Sequence, residues 1–256
     1  MRKEEGVSRG GLFWVALGDG PTVVVLHGGP GADHGYLLPQ FAILADQFRL
    51  LFYDQRGGGR SRTGTQRPTW RDHVADLEAL RSEMELGPMR LCGYSWGGLL
   101  GLLYTLEHPE KVARLALCSP AAPVHTYRAA MTATLRERAA RTQALGLSGF
   151  ARAVAGYFAH PERARELTPF RVQMRAEQSV LESLGAYDLR SQLHAIKQRV
   201  LVLHGTEDPI PLRYSQELVQ LLPNARLLVL PGSGHVPYIE APQIFFEQLR
   251  NFFGAQ

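Results

Sequence analysis

Gly93-Tyr94-Ser95-Trp96-Gly97 lies between two apolar runs of different character. Before it, Met89-Arg90-Leu91-Cys92 is short and mostly apolar, as a buried strand is. After it, Gly98-Leu99-Leu100-Gly101-Leu102-Leu103-Tyr104 is small and apolar, as a buried helix is. The pentapeptide therefore reads as a G-x-S-x-G turn from strand into helix. Glycines flank the serine because side chains there would clash with the strand and helix being joined. The turn lifts the Ser95 hydroxyl clear of the sheet and aims it at a substrate.

Working outward, short apolar runs alternate with helical patterns. This predicts an α/β chain with a mostly parallel central sheet and helices on both faces. The predicted strands are Thr22 to Leu26, Leu50 to Tyr53, Arg90 to Gly93, Leu115 to Cys118, Val200 to Leu203 and Arg226 to Leu230, with Phe13 to Leu17 as an antiparallel edge strand. Helices are predicted over Trp70 to Met84, Trp96 to His108 and Pro242 to Phe253. The alternation fails between about Pro120 and Leu193, where the chain is rich in Ala and Arg and broken by Pro123, Gly146, Gly149, Pro161 and Pro169. The chain thus divides into a core, 1–120 and 194–256, and a helical cap, 121–193, inserted after the sixth core strand. The cap is expected over the carboxyl edge of the sheet, where enzymes of this class bind ligands.

A serine hydroxyl is a weak nucleophile at neutral pH and needs a base, which in turn needs an orienting acid. Leu203-His204-Gly205-Thr206-Glu207-Asp208-Pro209 places an acid just after a predicted strand, and Gly232-Ser233-Gly234-His235-Val236-Pro237 places a histidine in a Gly-rich loop after the next. Ser95, Asp208 and His235 are the predicted catalytic residues, with Glu207 as the rival acid. His235 takes the Ser95 proton, and Asp208 fixes the imidazole tautomer. His73, His108, His160 and His194 read as surface or capping residues. Negative charge developing on the substrate needs two backbone N–H donors. The amide of Trp96 is one; the other is assigned to Gly29, in His27-Gly28-Gly29-Pro30-Gly31.

Composition excludes several classes. The chain has 256 residues, of which 45% are hydrophobic and 20% charged, enough for a large core. Its net charge of +4 comes almost wholly from arginine. Arg128, Arg136, Arg138, Arg141, Arg152, Arg163 and Arg165 are spread among acids rather than clustered, so they read as solvated surface and not as a nucleic-acid footprint. No apolar run approaches the roughly 20 residues of a membrane span, and the charged N-terminus does not read as a secretory signal. Cys92 and Cys118, the only cysteines, read as reduced thiols of a cytoplasmic protein. No metal-binding or phosphate-cradling motif is present, so no cofactor is expected.

These residues together resemble the α/β-hydrolase superfamily and, within it, the proline iminopeptidase family of serine peptidases. The chain order Ser, Asp, His is the order that superfamily uses. His27-Gly28-Gly29-Pro30-Gly31, Asp54-Gln55-Arg56-Gly57-Gly58-Gly59-Arg60-Ser61 and the stretch from Thr69 through Cys118 carry the resemblance. It implies an α/β-hydrolase fold and release of an N-terminal residue, proline preferred, from small peptides or amides through an acyl-enzyme. It also implies structural roles for Asp54 and Arg56. Two features depart from the family: Tyr94 stands where glycine is usual, and the insertion is short and lacks the family's Trp-Glu segment. An aminopeptidase must bind a free ammonium group, and burying that charge demands a carboxylate. Glu177 is the position most similar to a family amine-binding glutamate, Glu182 is second, and Tyr94 is the further substrate-binding candidate. The alternative is a carboxylesterase or lactonase with the same triad.

Overall fold

The computed structural model describes residues 2–64 and 67–255. Among these, eight strands form one sheet: β1 (Lys3–Val7), β2 (Phe13–Leu17), β3 (Thr22–Leu26), β4 (Arg49–Tyr53), β5 (Met89–Tyr94), β6 (Val112–Cys118), β7 (Arg199–Gly205) and β8 (Ala225–Leu230). Their spatial order is β1-β2-β4-β3-β5-β6-β7-β8. The β1–β2 and β2–β4 pairs are antiparallel and the remaining pairs parallel.

Strand side chains alternate between faces, and both faces are buried. Val24, Leu26, Leu51 and Leu91 meet α2 (Trp70–Glu83) and α3 (Trp96–Glu107) on one side. Val23, Val25, Leu50 and Phe52 meet Phe41 and the aromatic face of α9 (Pro242–Gly254), notably Phe245 and Phe252, on the other. This is why the central strands read as nearly unbroken apolar runs. The chain passes from β3 outward to β4, then crosses back to place β5 on the far side of β3. That reversal opens a crevice at the carboxyl ends of β3 and β5, the position at which such sheets bind ligands.

The sequence reading missed β1. Phe13–Leu17 is therefore the second strand, and Lys3–Val7 is the edge. Lys3-Glu4-Glu5-Gly6-Val7 alternates between exposed and half-buried and lacks the apolar run that marks the other strands. A further helix, α7 (Arg213–Leu221), follows the Asp208 loop and was also unpredicted. His73 is a correction as well: it is buried, with its ring edge-on to Trp96, and burial pushes its imidazole down to about 3.

Between β6 and β7 lie α4 (Tyr127–Thr142), α5 (Gly149–Val154) and α6 (Met174–Leu184), joined by short 3-10 turns. The start and end of this stretch are stitched together. Leu189 N–H donates to Pro123 O at 2.8 Å, and His125 N–H donates to Tyr187 O at 3.0 Å.

The α3–β3 contact is where the serine turn is most tightly constrained. A Cβ at Gly97 would lie 2.1 Å from Leu26 O and 2.7 Å from His27 O, both backbone atoms that cannot swing aside. Gly97→Ala is expected to cost about 1–3 kcal/mol, as overfilled interiors do. A thermal melt should show it as a fall of roughly 2–12 °C in Tm. An unshifted melting curve would show that α3 can move away from β3 at no cost.

Candidate active site

Ser95 caps the N-terminus of α3 with φ 54° and ψ −117°, a left-handed conformation that an L-residue adopts only when its surroundings impose it. Here they do. The Ser95 N–H donates to Cys118 O at 3.0 Å, tying the turn to the end of β6. Ser95 O accepts from Gly98 N at 2.9 Å and Ala121 N at 3.0 Å. The side chain is left facing the crevice, half-buried.

The loops after β7 and β8 deliver two partners. His235 Nε2 lies 3.0 Å from Ser95 Oγ, and His235 Nδ1 lies 2.9 and 3.0 Å from the two Asp208 oxygens. With Asp208 ionised, Nδ1–H donates to it and Nε2 is left to accept the Ser95 O–H. Burial alone would push the Asp208 carboxyl up. The charges of His235 and His204, with bonds from His235 and the Ile210 amide, outweigh burial and hold the group below the usual carboxylate range. Asp208 Oδ1 also accepts from Ile210 N at 2.8 Å. The neighbouring His204 donates from Nε2 to Ile210 O at 2.9 Å and accepts the Ser215 hydroxyl at Nδ1, 2.8 Å away. Glu207 is exposed, and its amide donates to Ser233 O at 2.9 Å.

The His235 loop is fastened to the helical stretch above it. His235 N–H donates to Tyr157 O at 2.7 Å. Glu240 accepts from Gly234 N at 2.7 Å and from His160 N at 2.9 Å, bridging the two segments. Tyr94 and Tyr157 flank the imidazole, with ring centroids 5.3 and 5.5 Å away.

The loop after β3 is braced from below. Gln55 N–H donates to His27 Nε2 at 3.1 Å, so His27 Nδ1 carries the proton and donates to Gly28 O at 2.7 Å. Gln55 also links His27 O, at 2.9 Å, to the Trp96 indole N–H, at 2.7 Å. The Gly28 amide is taken by the Tyr36 hydroxyl at 2.7 Å. The next amide, that of Gly29, has no acceptor among the described residues, and neither has that of Trp96 at the first turn of α3. Gly29 has φ +98°, which glycine alone adopts without strain. Asp54 accepts from His34 N, His34 Nδ1 and Arg60 N at 2.6–3.0 Å, while Arg56 makes a two-pronged pair with Asp76 at 2.5 and 2.9 Å. Both brace the loops and stay out of the crevice.

Ser95, His235, Gly29 and Trp96 open onto one cavity of about 550 Å³, within the range of small-molecule sites, about 300–1,000 Å³. Residues of α4, α5 and α6 form its far wall, which is mostly apolar. Of the predicted binding residues, Tyr94 and Glu177 line the cavity and Glu182 does not. Glu182 points outward, its side chain 52% exposed, paired with Arg67 at 3.3 Å and accepting from Gln178 at 2.7 Å. Glu177 is half-buried; burial pushes its carboxyl up, and the Arg128 charge only partly opposes this.

Arg128 and Tyr157 are among the lining residues that the sequence reading missed. Arg128 was read as one of many surface arginines, yet it faces the cavity. Tyr157 sits in an irregular stretch whose spacing carries no signal. Among the described residues no cluster of three or more His, Cys, Asp or Glu could hold a metal ion, and no helix is long and apolar enough to cross a membrane.

Residues 21–183 match the profile of a family described as the alpha/beta hydrolase fold. The chain is similar to the proline iminopeptidase of Lactiplantibacillus plantarum, at 26% identity over 91% of this chain and 92% of that one. Among solved structures it is similar to the enol-lactonase from Burkholderia xenovorans, with a TM-score of 0.77 and 25% identity, covering 98% of this chain and all of the other. It is also similar in fold to an esterase from Exiguobacterium antarcticum, with a TM-score of 0.73 and 24% identity, covering 95% and 96% of the two chains.

Proposed function

Because this chain belongs to the alpha/beta hydrolase fold family, we propose that it is a serine hydrolase of the aminopeptidase type, releasing N-terminal residues, proline preferred, from small peptides or amides. The observation that carries the reading is the unbroken path from Ser95 Oγ through His235 to Asp208, beside the Gly29 and Trp96 amides, which have no acceptor among the described residues.

In this reading Ser95 Oγ attacks the substrate carbonyl as His235 Nε2 takes its proton. The oxyanion accepts hydrogen bonds from the Gly29 and Trp96 amides. His235 returns the proton to the leaving amine as the C–N bond breaks, leaving the acyl group on Ser95. A water deprotonated by His235 then cleaves the ester and restores the hydroxyl. Asp208 stabilises the imidazolium in both halves. Tyr94 and Tyr157 support the ring on its flanks. The substrate ammonium is assigned to Glu177, the acid at the cavity wall.

Paired assays on an aminoacyl-arylamide and its N-acetylated form test this reading. The free amine is expected to react far faster, and Glu177→Gln should raise KM for it more than it lowers kcat. Burial raises the Glu177 carboxyl, so it loses its charge at a higher pH than an ordinary glutamate, and an amine is then held poorly. KM for the free amine should therefore climb as pH falls through the upper carboxylate range, and the Gln variant should lack that climb. Equal rates on both substrates would remove the aminopeptidase reading. The apolar far wall supports a second reading, a carboxylesterase or lactonase using the same groups.

A further inference from the structure

Besides His235, the cavity is lined by one acidic and one basic side chain, which do not pair with each other. Glu177 and Arg128 both line it, and no ion pair within 4.0 Å joins them or links either to another charge among the described residues. Arg128 is the second residue of α4, after Tyr127, with its guanidinium carbon 5.8 Å from the Tyr187 ring centroid. Its Nη2 is buried and makes no hydrogen bond among the described residues. The side chain as a whole is half-buried, and an arginine donor without an acceptor is less stable than one that meets an anion. The same geometry is favourable once a carboxylate arrives, since Arg presents a planar fork of donors that matches it.

We propose that Arg128 receives a carboxylate of the substrate, so that the cavity selects short peptides with both ends free, the ammonium at Glu177 and the carboxylate at Arg128. The Glu177 half rests on the aminopeptidase reading; the Arg128 half does not. The two charges are neither in contact nor paired elsewhere, so each is available to its own end of a zwitterion. A C-terminal amide, or a long peptide whose carboxylate lies outside the cavity, leaves Arg128 unmatched.

The test has two arms. In the first, kcat/KM is measured for a prolyl dipeptide and its C-terminal amide. The free acid is expected to be preferred about 10- to 100-fold, the size of a charge-assisted hydrogen-bonded pair, and Arg128→Met should abolish the preference. Arg128→Gln, of similar reach and uncharged, gives a second measure if the Met variant does not fold. In the second arm the protein hydrolyses p-nitrophenyl acetate, a neutral ester with no amine, while 4-phenylbutyrate or 4-phenylbutyramide competes. The acid should inhibit at least 10-fold more tightly than the amide in the unmodified protein, and equally in the variants. Acid and amide inhibiting alike in the unmodified protein overturns the proposal. Selective inhibition by the acid with no cleavage of dipeptides upholds Arg128 and removes the aminopeptidase reading instead.

Discussion

Ser95→Ala abolishes turnover, with kcat expected to fall by about a million-fold, the loss seen when a serine nucleophile is removed from such a set. The attacking oxygen has no substitute in this reading, because Ser95 Oγ is the hydroxyl bonded to His235 Nε2 and the cavity wall is mostly apolar. Any residual rate is expected to come from the Gly29 and Trp96 amides, which in this reading still stabilise an oxyanion formed by water. The fold should survive, because the turn is held by backbone bonds from Ser95 to Cys118, Gly98 and Ala121 that alanine keeps. The check is a rate measurement beside a melting curve and fluorophosphonate labelling. A variant that melts normally and retains more than a trace of activity would mean another group attacks.

Asp208→Asn is expected to slow turnover about 10⁴-fold by reversing the imidazole. The buried carboxylate accepts from Nδ1 and from the Ile210 amide. Asparagine can keep the second bond through its oxygen, but then its NH₂ faces Nδ1. The ring proton must move to Nε2, where it points at Ser95 and cannot be displaced by the serine O–H. The variant should therefore fold and bind substrate while failing to deprotonate Ser95. Glu207→Gln serves as the control, since that side chain is exposed. Loss of activity in Glu207→Gln with none in Asp208→Asn would reverse the assignment.

What could be read beforehand was what is local. The serine turn, the glycine loop after β3 and the acid and histidine loops each declare themselves within about seven residues, because backbone shape there restricts which side chains fit. The central strands were legible because burial on both faces leaves few polar positions. β1 escaped because an edge strand with one wet face and two glutamates has no such run. Arg128 escaped because a guanidinium facing inward has the same sequence appearance as the six others read as solvated with it. Glu182 need not have been retained. Five residues from Glu177 on one helix, it is turned by about 140° and cannot share a face with it.

The bridge made by Glu240, together with the main-chain bond from His235 to Tyr157, hangs the His235 loop from the helical stretch above it. The imidazole is thus suspended from the stretch that forms the far wall of the cavity, so a shift of that wall carries the ring with it. Anyone grafting a relative's helices onto this sheet would have to transplant the suspension as well as the walls, matching residue 240 and the carbonyl at 157 as a set.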